Sequence, residues 1–466
     1  MLAAPVCCSA NCDLGAACAF VGGDGTMRAS SYAEFKTGWP VVLSSMLGIG
    51  LALSPLPFYT TGVMAPHLMK AFGWSIGQIM AGITVTTAVV LFAGPAAGFL
   101  AVRYGARPIV LTSLVLFALS FMAFAFSNGS LPLYYATWAF AALVGAGTLP
   151  MTWTVAVNQR FDRRKGLALG ISLMGTGLFG FFSKPLLAWM IGDFGWRGAY
   201  VGLGLLPLLI AFPAALFLFF EKPAEASAPA KAAPVVEGLT FRETIRQWRF
   251  WLIAVILVPV SFALAGPIPN MENILKTAGF GAKTIVGLTS LIGLSALSGR
   301  LVGGWLLDRF WAPAMALVIL ASPGISCFLL AQPTVAAPAA MLSIVLIGFA
   351  VGVEYDLMAF LVARYFGMRS YTAIYGVLYA FFSVGAGVGP LLFGWSFDRT
   401  GSYRIILDVA FFVLIASGAA LLALGRYRYA HRQDEAASFP AAAAPAADPP
   451  AIIPSVVAAQ SPIAGK

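Results

Sequence analysis

Ligands for a metal are scarce in this chain: it has two histidines, His67 and His431, and five cysteines, four of which (Cys7, Cys8, Cys12 and Cys18) fall in the first 18 of 466 residues. No zinc spacing fits them. An enzyme working inside a membrane would want a clustered His, Asp or Ser constellation, which two distant histidines do not supply. No metal, cofactor or catalytic role is therefore expected. Charge is equally short. Asp, Glu, Lys and Arg make up 10% of the residues, against about 25% in an ordinary soluble domain. A surface so poor in charge cannot face water over most of its area, which excludes a soluble globular protein. No phosphate-cradling Walker pattern follows a strand, and no strand is predicted, which argues against ATP as the energy source. No stretch outside the apolar runs is long enough for a soluble signalling domain, which argues against a sensor.

Apolar residues are what is present. They account for 60% of the chain, and the mean hydropathy is +0.88. A helix needs about 20 apolar residues to cross roughly 30 Å of hydrocarbon. Runs of that kind predict twelve spans, near 40–66, 76–101, 109–127, 131–157, 167–190, 197–220, 250–272, 284–307, 312–331, 337–362, 371–396 and 404–425. The expected fold is all-α and integral to the lipid bilayer, with twelve transmembrane helices in two pseudo-symmetric six-helix bundles. The expected organisation is a disordered leader over 1–38, a first half over 39–222, a cytoplasmic linker with an amphipathic helix over 223–249, a second half over 250–430 and a disordered Ala/Pro-rich tail over 431–466. Met27, just before Arg28, is an alternative start.

The formal charge of +10 is distributed by topology. With the N-terminus inside, the cytoplasmic segments hold 20 of the 28 Lys and Arg and the outer loops 6, leaving Lys184 and Arg300 inside spans. That bias puts both termini in the cytoplasm, in the inner membrane if the source is bacterial. Basic residues spread over short loops do not make a nucleic-acid face.

An internal repeat runs at an offset of 206 residues: Lys70 matches Lys276, Gly73 Gly279, Gly98 Gly304, Arg103 Arg309 and Gly170 Gly376. Two parallel repeats imply a pseudo-two-fold axis along the membrane normal, with a cavity between halves that rock about it. The residues of the repeat also carry a likeness. Gly98-Phe-Leu-Ala-Val-Arg103-Tyr-Gly105-Ala-Arg107 resembles the loop signature between helices 2 and 3 of the major facilitator superfamily, and Gly304-Trp-Leu-Leu-Asp308-Arg309 resembles its second copy. The first copy has Val102 where the pattern has an acid, so the charge lock such a loop makes at the inner gate is weakened there; Arg103, Asp308 and Arg309 remain as gate residues. The segment Phe161-Asp-Arg163-Arg164-Lys165-Gly-Leu167 resembles the basic cluster of the monocarboxylate porter group, which includes oxalate/formate antiporter-like members.

Arg300 lies about 16 residues, or roughly 24 Å, into its span. A cation there costs about 2.5 kcal/mol or more on insertion scales and needs a partner or a wet cavity. Its match in the first half is Gly94, so it is no constant of the repeat. A planar guanidinium suits a carboxylate, and the resemblance implies the same role for a helix 8 arginine. The alternative is an ion pair that only holds helices together. Glu354 and Asp356 are at similar depth, about 200° apart around their helix. Asp356 lies on the side of Gly348 and Gly352; Glu354 points the other way. Either acid can couple a proton, or both can lock a gate to Arg309 or Arg364. Lys184 either attracts anions or snorkels to the interface. Tyr59 and Tyr379 are candidates to offer hydroxyls to a substrate, or to pack. Paired prolines, Pro55/Pro57 and Pro267/Pro269, break helices 1 and 7 in related positions, as helices at a substrate site are broken. Gly94/Gly98 and Gly348/Gly352 read as close helix packing.

The expectation is a monomeric secondary transporter of small organic anions, monocarboxylates in particular, as a proton symporter working by alternating access. The alternative is an exporter or antiporter of another small molecule, a drug or a metabolite.

Overall fold

The computed structural model describes residues 23–161, 165–220, 238–367 and 369–427. The leader segment 1–22, the linker stretch 221–237, the tail 428–466 and the cluster Asp162–Arg164 lie outside the described residues, as do the side chains of residues 23–33 and of Asp308. Helices account for nearly all of it, and no strand is present among the described residues.

Among the described residues, eleven helical stretches are long and apolar enough to cross a membrane. One of them, Leu167–Leu218, has 52 residues, which at 1.5 Å per residue is roughly 78 Å, twice what a bilayer needs. It is two spans. Gly195 interrupts it at φ 70°, a left-handed conformation that only glycine adopts freely. Among the described residues the spans therefore number twelve. The sequence places the fifth and sixth at 167–190 and 197–220; helix continues to Gly195, so the turn between them is a single residue.

Span 1 comprises α1 (Gly23–Gly50) and α2 (Pro55–Phe72); span 2 is α3 (Ile76–Tyr104); span 3 is α4 (Ala106–Ala123); span 4 comprises α5 (Leu131–Gly145) and α6 (Pro150–Arg160). Spans 5 and 6 are α7 (Lys165–Leu206), which continues through a π-turn into α8 (Phe212–Leu218). A short α9 (Phe241–Ile245) lies in the linker. Span 7 comprises α10 (Trp248–Ala265) and α11 (Pro267–Thr277), and spans 8 to 12 are α12 (Ala282–Arg309), α13 (Ala312–Leu330), α14 (Ala337–Phe366), α15 (Tyr371–Thr400) and α16 (Arg404–Leu421). Spans 1 and 7 are interrupted where the proline pairs stand, at Ser54–Pro55 and Gly266–Pro267. Proline lacks the N–H that would continue the helix and is tolerated at its first turn.

The packing repeats as the sequence does. In the first half α1 packs on α7, α3 on α5, and α4 on α7 and α8; in the second, α10 packs on α15, α12 on α14, and α13 on α16. Span 1 against 5 is thus matched by 7 against 11, span 2 against 4 by 8 against 10, and span 3 against 6 by 9 against 12. Glycine sets the approach in both halves. A Cβ on Gly175 would collide with the carbonyl of Met46, and one on Gly389 would stand 2.7 Å from the carbonyl of Phe262.

The halves join through α3 on α15, α7 on α12, and α2 on α11. The first two pairs exchange under the pseudo-two-fold. The contacts across the seam lie toward one end of the molecule, the end bearing Lys70 and Lys276. There Asp398 accepts from the backbone N–H of Ile76 at 3.1 Å and of Gly77 at 2.7 Å. Thr84 donates to the carbonyl of Gly387 at 2.7 Å. Toward the Arg103 end the halves diverge: a Cβ on Gly170, Gly304 or Gly376 would meet nothing within 4 Å. The expected close packing holds for Gly348 and Gly352, whose Cβ positions meet the α12 backbone, but not for Gly94 and Gly98, which face only the side chains of Met151, Leu149 and Val90. Their stretch of α3 faces the short helix α6, where bulky side chains keep the backbones apart.

Candidate functional site

Arg300 sits where the glycine stripe of α14 lets two helices touch. A Cβ on Gly352 would stand 2.9 Å from the Arg300 backbone nitrogen, so α12 and α14 run nearly in contact at this level. Asp356, one turn further along α14, is brought beside the arginine. Arg300 Nε lies 3.9 Å from Asp356 Oδ2. That is an ion pair by distance but too long for a hydrogen bond. The Arg300 Nη1 atom is buried and has no hydrogen-bond partner among the described residues, while the side chain as a whole keeps 18% of its surface accessible. Asp356 is more open, at 38%. A buried donor left unpaired costs about 1–3 kcal/mol, and more when charged. The guanidinium is held in place but not satisfied, which fits it to take an incoming anion.

Glu354 faces away from Asp356, into the second half. It borders an apolar cavity of about 20 Å³, room for about one water, together with Ile256, Val260, Leu320 and Phe382. It is also within electrostatic reach of Arg300. Tyr59 approaches from the first half. Its ring is buried, packs where Gly180 leaves room, and lies within electrostatic reach of both Arg300 and Glu354. Tyr379 lies deep in the protein yet keeps 39% of its surface accessible, so it lines an internal opening. The structure therefore brings Arg300 and Asp356 together at 3.9 Å, while Tyr59 is buried on the side of the first half, Glu354 turns into the second half and Tyr379 is accessible.

Three tyrosines and a phenylalanine form a column on α15. Tyr371 and Tyr375 stack at 5.8 Å between centroids and 22° between planes. Tyr375 and Tyr379 stack at 6.5 Å and 16°, and Tyr379 and Phe382 at 6.1 Å and 21°. Tyr355 of α14 meets the column at Tyr379 and Phe382. Tyr375 and Tyr355 are within electrostatic reach of Arg300. Of these rings, sequence reading singles out Tyr379. The spacing 371, 375, 379 is a visible signal, since four residues is about one helical turn.

Lys184 is not at this opening and does not snorkel. It is fully buried and forms an ion pair with Glu272 of α11, which is 7% exposed. A Cβ on Gly62 of α2 would collide with the same carboxylate. The apolar pattern of the sequence does not point to Glu272 as its partner. The sequence ends span 7 at residue 272, which makes an acid there look like a boundary charge; helix restarts at Pro267 and runs to Thr277, which carries Glu272 into the interior. Asn270 and Asn273 brace that segment: Asn273 donates to the Tyr403 hydroxyl at 2.8 Å, and Asn270 to the carbonyls of Gly266 and Pro390.

Arg103 and Arg309 are at the diverging end, away from Arg300. The Arg103 guanidinium lies over the Tyr104 ring at 5.4 Å and Arg309 over Trp305 at 5.3 Å. Arg364 is buried with its guanidinium over Phe360 and Tyr427, both at 5.1 Å.

Compared with known proteins, the chain matches the family model of the Major Facilitator Superfamily over residues 47–390. Monocarboxylate transporter 13 of Bos taurus is 27% identical over 394 residues, covering 84% of this chain and 90% of that protein. Monocarboxylate transporter 11 of Homo sapiens is 27% identical over 381 residues, covering 78% of each. Among solved structures, an inward-facing, unoccupied bacterial homologue of the human lysosomal transporter Spinster superposes with a TM-score of 0.61 at 18% identity, over 84% of this chain and 95% of that one.

Proposed function

The chain belongs to the Major Facilitator Superfamily, a family of membrane transporters, and from that premise we propose that it carries small organic anions of the monocarboxylate class by alternating access. The observation that carries the reading is the Arg300 guanidinium, placed at the seam with one buried, unpaired N–H-bearing nitrogen and only a long contact to Asp356. A substrate carboxylate would take two parallel hydrogen bonds from it, with Tyr59 and Tyr379 closing on the substrate from opposite halves. The monocarboxylate transporters among its relatives support the same class.

Proton symport follows from the two acids within reach of that arginine. With substrate on the guanidinium, its support for a charged Glu354 or Asp356 weakens, and a carboxylate kept from water then favours its protonated form. Protonation and substrate binding thus assist each other, which is the coupling a symporter requires. With the N-terminus in the cytoplasm, the diverging end faces inward, and Arg103, Asp308 and Arg309 stand where an inner gate closes. Lys184 acts in this reading as part of the outer closure instead of touching substrate.

The test is uptake of radiolabelled pyruvate, lactate and benzoate into proteoliposomes with and without an inward proton gradient. Gradient-stimulated uptake of at least one acid, lost in Arg300→Ala and not stimulated in Glu354→Gln, is the expected result. Export of a cationic dye with no uptake of any acid would favour an exporter of another substrate class.

A further inference from the structure

We infer that the preferred acid is aromatic: its carboxylate is held on Arg300 and its planar ring lies along Tyr375 and Tyr379, the open part of the α15 column, whose end at Phe382 is buried. This rests on the carboxylate reading of Arg300 and names the body of the substrate. Three observations carry it. Consecutive rings of the column lie 16–22° from parallel, so they are ordered along one side of α15 and not set at unrelated packing angles. The column is accessible from within: Tyr379 keeps 39% of its surface open although it is deep in the protein, and Gly376, between Tyr375 and Tyr379, leaves open space beside them. The column also adjoins the residue paired with the cation: Tyr355, next to Asp356 in α14, meets Tyr379 at 6.1 Å between centroids, and Asp356 lies 3.9 Å from Arg300.

A short aliphatic acid would satisfy Arg300 and leave these faces wet. A flat ring attached to the carboxylate reaches them and gains offset-stacked contact beyond the area it buries. Tyrosine suits the task, being rigid, amphipathic and tolerant of water when the site is empty. Tyr355, set beside the column at 6.1 Å from Tyr379 and 5.1 Å from Phe382, supplies an edge that limits the width of the ring system.

The test is displacement of radiolabelled benzoate from the purified full-length protein in detergent. Unlabelled benzoate, cyclohexanecarboxylate of similar size but without a π-face, and acetate serve as competitors. Benzoate is expected to compete about three- to tenfold better than cyclohexanecarboxylate, the range a stacked ring contributes. Tyr379→Leu is expected to bring the two ring acids together, and Tyr379→Phe to preserve the preference. Equal competition by the two ring acids in the wild type, with acetate also displacing labelled benzoate, overturns the aromatic assignment and leaves the carboxylate reading standing. Binding of no acid, with the protein monodisperse and folded, overturns both.

Discussion

Lys184 in span 5 and Glu272 in span 7 form an ion pair that joins the two halves inside the protein, with Lys184 fully buried. Breaking a buried pair by removing one partner costs about 3–5 kcal/mol, because the other charge stays behind uncompensated. Glu272→Gln or Lys184→Met alone should lower the melting temperature in detergent markedly. The double variant Lys184→Met/Glu272→Gln should recover most of the loss. Additive losses in the double variant would show that the two charges do not compensate each other.

The same pair lies at the end where the halves are closed, so it must open for that end to open. Gly293 is the steric counterpart. A Cβ there would collide with the α7 backbone at Gly177 and Phe181, so Gly293→Leu should exclude the closed arrangement. A cysteine introduced beside Glu272 should then react with a membrane-impermeant maleimide several times faster than in the parent. Equal labelling rates would mean that the seam reopens and closes without regard to this contact.

Asp398 ties the end of α15 to the start of α3 through the N–H groups of Ile76 and Gly77. A carboxylate at a helix N-terminus accepts orphan donors and meets the positive end of the dipole. Asp398→Ala should cost about 1–2 kcal/mol of closure. It should therefore raise maleimide labelling at the same end, as Gly293→Leu does but more weakly. Asp193, near the end of span 5 in the first half, is exposed, so Asp193→Ala should change labelling little.

The linker helix carries a pH-dependent contact. Thr240 and Glu243 form a capping box, the Thr240 N–H donating to Glu243 Oε2 at 2.8 Å. That hydrogen bond, then the one with the Thr240 side chain, holds the Glu243 carboxyl below its ordinary value of 4.5. A depressed pKa stabilises α9 above the ordinary value and the support is lost as pH falls through the lowered one. Hydrogen exchange of a peptide covering 240–246 should therefore quicken in acid relative to Glu243→Gln, which keeps the box without titrating. Identical exchange of the two proteins at every pH would remove the contact from the account.

Much of this was legible in the chain, for a definite reason. Hydrocarbon tolerates few charges, so each one inside an apolar run announces itself; Arg300, Glu354, Asp356 and Lys184 are visible that way. The helical period separates Glu354 from Asp356 and places Asp356 with Gly348 and Gly352, and in the structure those glycines bring α14 against α12 beside Arg300. What was not legible depends on where helices stop. Glu272 reads as a terminus because the apolar run thins at the Pro267/Pro269 break, yet helix resumes beyond it. The pairing of Lys184 across the seam is a long-range contact that no local pattern encodes. The aromatic column was present as a four-residue spacing, but tyrosines in spans mostly pack or anchor, and only accessibility distinguishes a lining residue.

The central claim is that Arg300 holds the carboxylate of the transported acid, and equilibrium binding tests it most directly. Radiolabelled acid should bind the purified wild type, and Arg300→Gln, similar in polarity but uncharged, should bind at least about tenfold more weakly while melting near the wild-type temperature. That is the loss expected when a charge-assisted hydrogen bond of about 1.5–3 kcal/mol disappears. Equal affinity in the two proteins, with both folded, would contradict the account.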